Sequence, residues 1–191
     1  MSIQKVLKLS LCGGSAVGKS SIGRRLANQE PDPDHVATIG VDYFARRLPA
    51  YNAKIGIWDL AGDTRFEPVT LPYIKGSTII LYVYDLTRYE TIKDMRRLYK
   101  IYGNICNVDQ IKTIVVGNKR DIEDSYNSCA VAGEKFARKL GVPHIVVSAK
   151  KNQGIDGLLS VIVTEMELEE VKIEIKIEEK DVRMCDNCML S

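Results

Sequence analysis

Runs of apolar residues alternate along this chain with stretches whose apolar positions recur at helical spacing. Val6–Cys12, Thr78–Asp85 (TIILYVYD) and Ile111–Asn118 are near-continuous apolar runs, the mark of strands buried on both faces. His144–Val147 predicts a further short strand, and Asp42–Pro49 with Ala53–Asp59 a strand pair joined by a turn near Ala50–Asn52. Helices are expected over Ser21–Asn28, Tyr89–Tyr102, Ser128–Leu140 and Gly154–Glu170; in the last, Ile155, Leu158, Leu159, Ile162 and Met166 share a face. Glu30–Asp34 (EPDPD) predicts an exposed loop, and Asp63–Lys75, polar with Pro68 and Pro72, a loop with at most short helical turns. Such alternation specifies an α/β fold: a six-stranded, mostly parallel sheet with one antiparallel edge strand and helices on both faces. Ligands of such sheets sit at the carboxyl ends of the strands.

Composition narrows the class. With 191 residues, 45% hydrophobic and 27% charged, the chain suits one core-forming domain. A net charge of +2 gives no case for nucleic acid. No run approaches the ~20 apolar residues of a membrane span, and Met1–Cys12 does not read as a signal peptide. Five cysteines without regular spacing argue against a disulfide framework and for a reducing cytosol.

The chemistry begins after the first strand. Gly13-x-x-x-x-Gly18-Lys19-Ser20 is the phosphate-binding P-loop pattern in its strand–loop–helix context. The glycines let the backbone turn, and Ser15–Ser21 aim successive N–H groups at an anion. The following helix N-terminus adds partial positive charge. Lys19 supplies a full charge for the β- and γ-phosphates, and the Ser20 hydroxyl is a Mg²⁺ ligand candidate. At the end of another strand lies Asp59-x-x-Gly62, either a surface Asp before a turn glycine or a carboxylate that can hold Mg²⁺ through a water, with a Gly62 N–H that can meet a γ-phosphate. Asn118-Lys119-Arg120-Asp121 follows a buried strand. Its Asp121 carboxylate can accept from both N1–H and the 2-amino group of guanine, donors that adenine lacks. Asn118 can brace the loop, and the Lys119 stem can lie along the base. Ser148-Ala149-Lys150 closes the last strand, where the Ala149 N–H can meet guanine O6.

GGSAVGKSS, TIGVD, WDLAGDTRF, GNKRD and SAK, in this order, resemble a small GTPase of the Ras superfamily from about Val6 to Glu170. TIGVDY, KIGIWDLAG, DTRFEPVTLPYIKGS and LYVYDLT are similar to the defining stretches of Rab proteins. The resemblance implies a three-layer P-loop G domain over 1–170, a C-terminal tail over 171–191, and GTP/GDP binding with Mg²⁺. It implies a switch in vesicle traffic whose segments, near His35–Asp42 and Ala61–Tyr73, order with GTP and release with GDP. By the same resemblance Thr38 ligates Mg²⁺ and touches the γ-phosphate. Lys19, Thr38, Gly62 and position 63 would serve hydrolysis, and Tyr43, Trp58 and Tyr73 would form the aromatic triad read by effectors. An exchange factor and a GTPase-activating protein are implied as further partners. A further reading, an ATP-dependent P-loop kinase, is disfavoured by Asn118–Asp121.

Three positions depart from the family pattern. Asp63 stands in place of the glutamine that orients the attacking water; a carboxylate cannot donate a hydrogen bond and brings negative charge toward the γ-phosphate. Slow intrinsic hydrolysis is expected, or a stably GTP-bound interaction module. Pro31 replaces an aromatic at the guanine edge, which implies faster nucleotide release. Ala16 replaces a glycine and costs about 1 kcal/mol only if its φ is positive.

The tail from Glu165 carries nine acids against four bases, with an alternating VKIEIKI segment that reads as extended, continued helix or linker. Its end, CDNCMLS, admits a Cys-x-x-Cys redox or metal pair, or a CaaX box in which Cys188 is prenylated and Cys185 takes a palmitoyl. The second alternative implies a cytoplasmic protein that associates reversibly with a membrane; one lipid alone anchors marginally.

Overall fold

A computed structural model describes residues 5–34, 36–105, 111–122 and 128–166. The chain divides into two compact units, Met1–Leu158 and Leu159–Ser191. In the second, the described residues 159–166 are helical. The expected boundary after residue 170, the VKIEIKI segment, Cys185 and Cys188 lie outside the described residues, as does His35.

The first unit is built on a six-stranded sheet in the order β2-β3-β1-β4-β5-β6. Its strands are β1 (Lys5–Cys12), β2 (Val41–Leu48), β3 (Ala53–Leu60), β4 (Ile79–Asp85), β5 (Lys112–Asn118) and β6 (His144–Val146). All neighbours pair in parallel except β2 with β3, the expected antiparallel edge. β4 is buried at every position, as its unbroken apolar run requires.

Helices cover both faces. On one, Gly23 of α1 (Lys19–Leu26) lets Phe44 and Leu11 approach its backbone. On the other, α2 (Glu67–Ile74), α3 (Glu90–Ile105) and α4 (Ser128–Leu140) bury Ile74, Ile92, Met95, Tyr102 and Ala137 together with Tyr82 and Tyr84 of β4. Helical residues 155–158 end the unit. This is the expected three-layer α/β arrangement.

The expectation for 63–75 needs correction. That stretch is not a loop with isolated turns: a 3-10 turn, Thr64–Phe66, leads into the eight-residue helix α2. Pro68 sits in the first turn, where no backbone N–H is needed, so it starts the helix rather than breaking it. Pro72 removes one internal hydrogen bond. Tertiary contacts offset that loss: Thr70 and Ile74 are fully buried, and Glu67 is paired with Arg97 of α3 at 2.5 Å. α1 also begins two residues earlier than expected, at Lys19. It stops at Leu26, because Asn28 adopts the left-handed conformation (φ 62°) and turns its N–H back to Arg25.

Candidate nucleotide site

Parallel pairing of β3, β1, β4, β5 and β6 brings their carboxyl ends to one edge. From that edge leave the segments that hold Gly13–Ser20, Asp59–Gly62, Asn118–Asp121 and Ser148–Lys150. Antiparallel β2 adds its beginning instead: Val41 pairs with Leu60, so Thr38 arrives beside Asp59. The Ala61 N–H donates to the Gly40 carbonyl at 2.9 Å and ties the two segments together.

The P-loop backbone is shaped by two close approaches. A Cβ on Gly13 would strike the Val83 carbonyl, and one on Gly18 (φ 91°) would strike the Asn118 amide. Gly18 caps α1 without any side-chain hydrogen bond, and the first turn holds no acid. The N-terminal N–H groups therefore face the cavity unneutralised. The Lys19 ammonium is nearly buried and donates to the carbonyls of Gly13 (3.1 Å) and Gly14 (2.9 Å), arching over the loop. Burial pushes its pKa down, opposed by the Asp59 carboxylate.

Ala16 has φ 59°, so the conditional cost at this position applies. Ala16→Gly is expected to stabilise the protein by up to about 1 kcal/mol, less what glycine gains in unfolded-state entropy. That corresponds to roughly 2–4 °C in melting temperature, read at fixed nucleotide concentration. An unchanged or lower melting temperature would show that the loop tolerates the alanine without strain.

Next to Lys19, three oxygens converge. Ser20 Oγ donates to Asp59 Oδ2 at 2.5 Å, Thr38 Oγ1 lies 3.3 Å from the same oxygen, and the two hydroxyls are 3.1 Å apart. Asp59 is fully buried, and burial raises its pKa against the lowering effects of Ser20 and Lys19. Its Oδ1 is buried with no hydrogen-bond partner. An orphaned carboxylate oxygen costs free energy unless something occupies it. A hard divalent cation taking oxygen ligands fits this donor set. A cavity of about 570 Å³ opens here, lined by Ser15, Ala16, Lys19, Ser20, Thr38, Gly62, Asp63 and Arg65 among others.

A second cavity, of about 590 Å³, is lined by Asn118, Lys119, Asp121, Ala149, Lys150 and Pro31 among others. Gly18, Ser21 and Lys119 line both cavities. Asn118 is the brace between them: its Nδ2 donates to the Val17 carbonyl at 2.9 Å, and its Oδ1 accepts from the Ala149 N–H at 3.1 Å. Ser148 Oγ donates to Asp121 Oδ1 at 2.5 Å and accepts from the Lys151 N–H at 3.1 Å, which fixes the carboxylate against the Ser148–Lys150 loop.

Three supporting residues escaped sequence reasoning. Buried Asp85, at the end of β4, holds Lys119 (2.7 Å) and Arg88 (3.0 Å), and Arg88 in turn donates to the Ser15 carbonyl at 3.0 Å. An acid closing the apolar run TIILYVYD was the available signal. Arg25 donates to the carbonyls of Ala149 (2.9 Å) and Lys150 (3.2 Å) and pairs with Glu30 at 2.5 Å. Arg25 thereby braces the Ala149–Lys150 segment in the cavity that Pro31 also lines. No local pattern marked it.

After β3, Gly62 lies so close to Gly14 and Lys19 that any Cβ would collide with both. Asp63 follows. Its carboxylate accepts from the Arg65 N–H at 2.9 Å and from the Arg65 guanidinium at 2.6 and 3.0 Å. These bonds hold its pKa below the usual carboxylate range, at about 2. Farther along, Tyr43 and Trp58 meet edge to face with centroids 5.1 Å apart, and Trp58 and Tyr73 lie 5.5 Å apart. The sequence-predicted triad is thus one partly exposed aromatic surface.

Among the described residues, no helix is long and apolar enough to cross a membrane. The chain matches the Ras family over residues 8–168. It is 32% identical over 170 residues to the Ras-related protein SEC4 of Candida albicans, spanning 86% of this chain and 80% of that one. It is 32% identical to the GTP-binding protein ypt2 of Schizosaccharomyces pombe, over 91% and 87% of the two chains. The same identity holds with the Ras-related protein Rab-18-B of Danio rerio, over 95% and 89%. The P-loop, the paired cavities and these relatives agree: the chain belongs to the Ras family, as a Rab-like small GTPase.

Proposed function

We propose that this chain is a slowly hydrolysing guanine-nucleotide switch that acts in vesicle transport. The observation that carries the reading is the pair of cavities sharing Gly18, Ser21 and Lys119. One has the chemistry of a phosphate site and the other presents Asp121 for guanine. The backbone of Ser15–Ser21 and the Lys19 ammonium hold the phosphates, while Asp121, the Ala149 N–H and the Lys119 stem hold the base, with Asn118, Ser148 and Lys150 supporting them. Ser20, Thr38 and Asp59 would hold Mg²⁺, which neutralises charge on the phosphates when bound. In hydrolysis a water oxygen bonds to the γ-phosphorus as the bond to the β,γ-bridging oxygen breaks, and a water proton leaves with the phosphate product. Lys19 and the N–H groups, including that of Gly62, stabilise the charge that develops.

Asp63 can accept a hydrogen bond from the water but cannot donate one. Asp63→Gln is therefore expected to speed single-turnover hydrolysis by on the order of tenfold. A variant no faster than the parent would contradict the slow-hydrolysis reading. The carboxylate held by Arg65 also favours a second reading, a stably GTP-loaded interaction module; a parent chain that releases no phosphate in the same assay would favour it. In either case effectors would read the Tyr43–Trp58–Tyr73 surface and the switch segments, and an exchange factor and activating protein would set the cycle. A prenyl group on Cys188, seconded by a lipid on Cys185, would bring the cytoplasmic protein to a membrane.

A further inference from the structure

Asp63 and Arg65 sit on the wall of the phosphate cavity, just after the glycine that packs against Gly14 and Lys19. Two separate bonds orient the Asp63 carboxylate. One comes from the Arg65 backbone N–H, which makes Asp63 the cap of the 3-10 turn Thr64–Phe66. The other is the two-pronged guanidinium contact at 2.6 and 3.0 Å. The backbone bond needs only the N–H of residue 65, which every replacement of the Arg65 side chain except proline keeps. Only the charge pairing depends on the guanidinium.

We infer that Arg65 is the positioning residue that makes a carboxylate at position 63 compatible with a nucleoside triphosphate. Paired, the two side chains bring no net charge to the cavity wall beside the Lys19 ammonium. Unpaired, Asp63 stays aimed by the backbone N–H and sets a negative charge beside the terminal phosphate. A diphosphate lacks that phosphate and feels the charge far less. Position 63 thereby gains a second requirement that a neutral residue there would not impose. This inference rests on the nucleotide reading above.

The test compares the affinities of a non-hydrolysable GTP analogue and of GDP, both with Mg²⁺, across four full-length proteins: the parent, Arg65→Ala, Asp63→Asn and the double variant. Both residues face solvent, so screening moderates the effect. Arg65→Ala is expected to weaken the triphosphate analogue by about five- to tenfold relative to GDP. Asp63→Asn, which leaves an unpaired guanidinium, is expected to shift the same ratio the other way. In the double variant the ratio returns to within about twofold of the parent, since the two charges act on each other. Equal weakening of both nucleotides by Arg65→Ala, or a double variant as poor with triphosphate as Arg65→Ala alone, would overturn the inference. A parent chain that binds neither nucleotide would instead overturn the nucleotide reading itself.

Discussion

Alanine in place of Asp121 is expected to lower affinity for GTP and GDP by roughly 10³-fold or more. The Asp121 carboxylate lines the second cavity with two acceptor oxygens for the two donors on a guanine edge, and it is pre-aimed by the Ser148 hydroxyl at 2.5 Å. Charge-assisted hydrogen bonds of this kind are about twice as strong as neutral ones. Removing them also leaves the guanine donors without partners in a cavity partly shut off from water. The companion change Asp121→Asn replaces one acceptor by a donor. It should weaken guanine and favour xanthine, whose edge carries an oxygen in place of the amino group. Titration with the three nucleotides reads both effects. An Asp121→Ala protein that keeps parental GDP affinity would remove Asp121 from the site.

Lys19→Ala is expected to cost about 3 kcal/mol of nucleotide binding, on the order of 10²-fold in affinity. Lys19 is nearly buried and anchored on two P-loop carbonyls, so its ammonium arrives at the phosphates already oriented. The ligand-free protein should suffer less, because burial opposes the ammonium in the absence of an anion. The signature is a large loss in nucleotide affinity with a small change in the melting temperature of the ligand-free chain. A comparable loss in both would make Lys19 a structural residue.

Most of the sheet could be read from the chain because its signals are local. The unbroken run TIILYVYD leaves no polar face to alternate, so it has to be a central strand, and Ile79–Asp85 is buried at every position. The backbone turn after β1 was similarly legible: Gly13 and Gly18 are needed where the Val83 carbonyl and the Asn118 amide come close, and both sit in a fixed motif. What failed was 63–75. Pro68 and Pro72 argue against a helix locally, but Thr70, Ile74 and the Glu67–Arg97 pair decide otherwise through contacts with distant residues. Arg25 and Arg65 were missed for the same reason. Nothing in their neighbourhood marks an arginine as paired until the fold brings Ala149 or a capping Asp63 within reach. Pro31 likewise gains a context the sequence did not show, since it lines one cavity with the paired Arg25 and Glu30.

The account stands on the claim that two adjoining cavities accept one guanine nucleotide. Competition of GTP, GDP and ATP for that site, with Mg²⁺ present and the full-length protein, tests it most directly. Guanine nucleotides are predicted to bind at least about 10³-fold more tightly than ATP; equal binding of ATP and GTP, or no binding of either, would contradict it.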